Sequence, residues 1–72
     1  MASGDDARAR IQHLLLTGDN RLKQGVGPAK IRESYEQALA VAREAGLVET
    51  VRPLVELRLA DLARLHPPEP SA

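Results

Sequence analysis

His13 and His66 are the only imidazoles in this 72-residue chain, so any metal binding or proton transfer by histidine has to start from them. Neither belongs to a His-Glu-x-x-His pattern, and no cysteine is present to complete a zinc ligand set. His13, beside Gln12, reads as a solvated or partly packed side chain, and His66 as a helix-end residue that interacts with the C-terminal dipole. The hydroxyls are Ser3, Thr17, Ser34, Thr50, Ser71 and the phenol of Tyr35. None of them lies in a nucleophile elbow or a phosphate loop. Gly25-Val26-Gly27-Pro28 lacks the Lys-Ser/Thr that would make a glycine loop a nucleotide cradle, and it reads as a turn. The paired carboxylates Asp5 and Asp6 fall where a helix begins, and favourable placement at that end accounts for them without catalysis. The expectation is a chain that is not an enzyme and that needs no metal and no cofactor.

The best-delimited element lies between Gly25 and Gly46. Pro28 suits a first helical position, because its missing N–H has no intrahelical partner there. At the other end Gly46 can take the left-handed conformation, with Leu47 placed for the apolar contact of a Schellman ending. Between them Ile31, Tyr35, Ala38, Leu39, Ala42 and Ala45 recur at helical spacing. The opposite face carries Lys30, Arg32, Glu33, Glu36, Gln37, Arg43 and Glu44. This predicts a helix over 28–45, with one side toward protein and the other toward water.

A first helix is predicted over 5–24, with Ser3 as its N-cap and an apolar stripe of Ala7, Ile11, Leu14, Leu15, Gly18 and Leu22. Gly25 ends it, with Val26 as the following apolar residue. The short link to Pro28 forces an antiparallel hairpin. Gly18 interrupts the stripe at a cost of about 1 kcal/mol relative to alanine, which implies a close approach there, expected opposite Ala38 or Ala42.

A third helix is predicted over 49–65. Pro53 falls in its first turn if Thr50 is the N-cap, and an earlier start implies a bend at Pro53. Val51, Leu54, Val55, Leu59, Leu62 and Leu65 are assigned to the hairpin side, which leaves Leu57 and the Val48/Ala60 side over. Apolar residues beyond one stripe read either as ordinary scattered leucines or as a surface offered to another chain. Residues 1–4 are expected to be disordered, 5–66 to form the domain, and the proline-rich 67–72 to form an extended tail. The fold class is therefore all-α, a three-helix antiparallel bundle.

Ten basic and ten acidic residues cancel, so no overall field attracts nucleic acid or an anionic membrane. Residues 1–32 carry six basic against three acidic groups (+3), and 33–72 carry four against seven (−3). This asymmetry either steers a partner or draws neighbouring helices together. A helix-turn-helix reading requires a basic recognition helix, and the second helix mixes Glu33 and Glu36 with Lys30 and Arg32. Single-strand binding requires stacking aromatics, and Tyr35 is the only aromatic residue. No apolar run reaches the roughly 20 residues of a membrane span. The acidic start is the reverse of a signal peptide. Together with the lack of cysteine it points to the cytoplasm.

Gly18-Asp19-Asn20-Arg21-Leu22-Lys23-Gln24-Gly25, followed by Ile31, Tyr35, Ala38 and Leu39, resembles one tetratricopeptide repeat over about residues 11–65. The resemblance implies a helical hairpin capped by a third helix, and polar partner contacts at Gln12, Asp19 and Lys23 with Glu56 and Arg64. The length, the helix count and Tyr35 in the second helix are also similar to the microtubule-interacting-and-transport type of domain, which implies binding of short helical or extended peptides. Leu57 and Ala60 enter independently, from the leftover surface of the third helix. The expected function is a protein-interaction module for a helix or peptide of another protein, the alternative being a homodimer paired through the third helix.

Overall fold

Two left-handed glycines divide the chain into its elements. Gly25 and Gly46 have φ of 75° and 73°, a conformation that costs other residues about 1–2 kcal/mol. In the computed structural model, which describes residues 4–65, the helices are α1 (Gly4–Gln24), α2 (Pro28–Ala45) and α3 (Val48–Leu65). Both glycines complete Schellman motifs. The Val26 N–H donates to the Arg21 carbonyl at 3.0 Å and the Gly25 N–H to Leu22 at 3.2 Å. At the second turn Leu47 donates to Ala42 at 2.8 Å and Gly46 to Arg43 at 3.4 Å.

The same residue that closes α2 opens α3. The Leu47 carbonyl accepts from the N–H groups of Thr50 and Val51 at 3.1 and 3.0 Å, so α3 starts at Val48, ahead of the expected Glu49, and Thr50 is not its N-cap. Pro53 is then the sixth residue of α3 and has no N–H to give to the Glu49 carbonyl. The helix continues through it to Leu65. At the other end of the chain α1 begins at Gly4, and Ser3, His66 and the tail lie outside the described residues.

The three helices form an all-α antiparallel bundle with α2 in the middle. It packs on α1 along one side and on α3 along the other, while α1 and α3, parallel to each other, touch only lightly. The core is Ile11 and Leu15 from α1, Ile31, Tyr35, Ala38 and Ala42 from α2, and Val51, Val55 and Leu62 from α3. Leu14, Leu22, Leu39, Val41, Leu47 and Leu59 pack around it.

Three further expectations change. A Cβ built on Gly18 meets the Tyr35 ring rather than Ala38 or Ala42, lying 2.8 Å from Cδ1, 2.9 Å from Cζ and nearer still to Cε1. The glycine makes room for an aromatic ring, not for a backbone crossing. Leu54 and Leu65, assigned to the hairpin side of α3, are 44% and 60% exposed. Ala45, the last residue of α2, is exposed as well.

Candidate functional site

The position of the site follows from how α1 and α3 are held apart and tied together. Tyr35 is buried, with its ring against Gly18, and its hydroxyl donates a 2.6 Å hydrogen bond to Oδ1 of Asp19. The same carboxylate oxygen accepts from Nε of Arg58 at 3.3 Å. Arg58 also donates through Nη1 to the Leu54 carbonyl, 3.3 Å away on its own helix. One polar cluster therefore joins α1, α2 and α3. Burial, and then the hydrogen bond to the Asp19 carboxylate, push the Tyr35 phenol well above its ordinary range, with Arg58 opposing more weakly. The Tyr35 hydroxyl therefore keeps its proton and acts as a hydrogen-bond donor to Asp19.

A second clasp closes the α1–α2 hairpin. Nη1 of Arg21 donates to the Lys30 carbonyl at 2.9 Å and to Oγ of the buried Ser34 at 2.7 Å. Ser34 makes a longer 3.5 Å contact with the Lys30 carbonyl. Among the described residues no buried side-chain polar atom lacks a hydrogen-bond partner. There is also no group of three or more His, Cys, Asp or Glu residues that could hold a metal among them. His13 is exposed between two depressions, one over α1 and α2 lined by Arg10, Leu14, Gln37, Val41 and Glu44, the other the groove between α1 and α3.

The groove between α1 and α3 has a different lining. Leu16 and Leu54 face each other across it, 57% and 44% exposed, with Gln12 and Leu15 on the α1 wall and the Asp19–Arg58 pair at one end. Toward the other end Arg8 and Ile11 stand across from Leu47, Thr50 and Val51. Leu57 and Leu65 of α3 are 61% and 60% exposed. At about 100° per residue, Leu57 lies farther round α3 than Leu54 and Leu65.

The residues singled out from the sequence do not form one constellation. Gln12 lines the groove along both of its stretches. Asp19 also lines it, but its carboxylate is engaged by Tyr35 and Arg58. Lys23 is exposed near the C-terminal end of α1. Arg64 pairs with Asp61 one turn back on α3. Glu56, Leu57 and Ala60 are exposed on α3, with Glu56 and Ala60 turned away from the groove by the helical register. Leu16, Leu54, Thr50 and Arg58 were not anticipated as groove residues. Leu16 had a readable signal, since Leu14, Leu15 and Leu16 in succession cannot all share one helix face.

No helix is long and apolar enough to cross a membrane among the described residues. Comparison with protein-family models, with curated proteins and with solved structures finds no match.

Proposed function

We propose that this domain is a non-enzymatic protein-interaction module that takes an amphipathic helix of a protein partner along the groove between α1 and α3. The observation that carries the reading is the opposition of Leu16 and Leu54 across an open groove, although the core is otherwise complete. Exposed leucines that converge from two elements mark an interaction site more than single scattered ones do. A helix suits the groove better than an extended strand. Both walls are helical, so they offer no unpaired backbone edge to a strand, whereas a helix arrives with its own backbone hydrogen bonds satisfied.

Gln12 and Thr50 supply polar contacts within the groove, with Arg8 toward one end and the Asp19–Arg58 pair at the other. A hairpin with a third helix laid against its second is compatible with kinship to either the tetratricopeptide or the microtubule-interacting type, and the groove reading does not depend on which. A cytoplasmic home belongs to the same reading, supported by the absence of cysteine.

The test is capture of proteins on the immobilised domain, comparing the wild type with the double variant Leu16→Glu/Leu54→Glu. Burying two leucines contributes about 3 kcal/mol or more, so a partner seated in the groove is lost by at least about tenfold on the variant. Equal capture by both proteins contradicts the reading.

A further inference from the structure

We infer that the helix seated on this face is α3 of a second copy of the chain, running antiparallel to the first. This rests on the helix-docking reading above and names its partner.

Leu54, Arg58, Asp61 and Leu65 are spaced by four, three and four residues, which puts them within about 60° of one another on α3. They form a stripe on the groove side. Leu54 and Arg58 line the groove, Leu54 and Leu65 are exposed leucines at the two ends of the stripe while the exposed Leu57 lies outside it, and Asp61 lies near enough to the Asp19–Tyr35 cluster to raise the Tyr35 phenol further. The spacing is the same read in either direction. When two copies of α3 pair antiparallel about a two-fold axis between Leu59 and Ala60, Leu54 lies opposite the partner's Leu65 and Arg58 lies opposite the partner's Asp61.

Each apolar end meets an apolar end, and each charge meets its opposite, twice. A parallel pair in register would set Arg58 against Arg58 and Asp61 against Asp61, so charge selects the antiparallel arrangement. The groups that would bridge the copies have capacity left. Arg58 uses two of its five N–H donors on Asp19 and Leu54, and Asp61 holds Arg64 through Oδ1 alone. The partner's α3 then lies along the groove, where Leu16 of α1 adds a further apolar contact.

The experiment is sedimentation equilibrium of the whole chain, with Asp61→Arg as the variant. Asp61 is outside the core and bonded to Arg64 alone among the described side chains, so the change leaves the fold standing. The wild type sediments as a dimer at concentrations on the order of 100 µM. The variant, which sets the Arg58 guanidinium against a second guanidinium at both symmetric contacts, associates at least about tenfold more weakly.

Because the chain has no cysteine, register is read from a mixture of Leu54→Cys and Leu65→Cys chains under mild oxidation. The mixed disulfide forms ahead of both like-with-like disulfides. A monomeric wild type overturns the self-pairing while leaving helix docking to be judged by the capture ratio of the Leu16/Leu54 variant. A dimer that survives Asp61→Arg unweakened, or one that joins Leu54→Cys to itself as fast as to Leu65→Cys, overturns the antiparallel register.

Discussion

Gly18 and Tyr35 are chemically unlike and structurally one unit. The ring occupies the space where a side chain at position 18 would begin, and its hydroxyl reaches one residue further along α1 to Asp19. Replacing Gly18 by alanine ordinarily gains about 1 kcal/mol in a helix, but here the new methyl strikes a buried ring that is held at both ends. Gly18→Ala is expected to lose about 2 kcal/mol, a fall in Tm of about 10 °C by thermal unfolding, and a rise in Tm would contradict the packing described. Tyr35→Phe keeps the ring and removes only the hydrogen bond to a half-exposed carboxylate, with an expected cost of about 1 kcal/mol by urea titration. The same phenol makes stability depend on pH at the alkaline end. Its folded pKa lies above the unfolded value of about 10, so its contribution is whole below pH 10 and is lost as pH rises from there toward the folded value. As Tyr35 is the only tyrosine, its phenolate absorbance reports the transition directly, and Tyr35→Phe should resist alkaline unfolding better than the wild type relative to their stabilities at pH 7. That Gly18 needed a close neighbour was legible in the sequence. Which neighbour was not, because an aromatic ring extends the reach of α2 well beyond the small residues that marked its face.

The ends of the elements were read almost residue by residue, and their rotations were not. Helix ends are local: Gly25-Val26, Gly46-Leu47 and Pro28 each act within a turn, and the backbone hydrogen bonds appear where those residues require them. The rotation of α3 about its axis is a different matter, since its apolar residues are spread over much of its circumference and several faces would bury similar numbers of them. The face it presents to α2 buries Val51, Val55 and Leu62, and the Arg58–Asp19 contact fits that choice while leaving Leu54 outside. An exposed proline inside the helix adds its own cost. Pro53→Ala restores an N–H for the Glu49 carbonyl and removes the ring from the preceding turn, against a smaller entropic gain that proline gives by stiffening the unfolded chain. A net stabilisation of about 1–2 kcal/mol is expected, seen as a higher urea midpoint with an unchanged slope, and a lower midpoint would mean that the proline shapes the packing of α3.

At the scale of the molecule, a middle helix packed on both sides leaves its two neighbours parallel, lightly touching and open along one groove. The sequence placed surplus apolar surface on α3, at Leu57 and Ala60, whereas the groove draws on Leu54 and on Leu16 of α1, whose opposition depends on tertiary arrangement and not on either helix alone. On the proposed self-pairing, Leu16 and Leu54 stay outside the core because the α3 helix of a second copy covers them. The dependence of Tm on protein concentration, compared between the wild type and Leu16→Glu/Leu54→Glu, tests it most directly, because association raises Tm by mass action while a core contact acts at every dilution. The wild-type Tm is predicted to climb with concentration, and the double variant to stay flat within about 4 °C of the dilute wild-type value, as exposed substitutions do. A flat wild-type curve, or a variant lying about 10 °C or more below the wild type even at high dilution, would rule out this pairing.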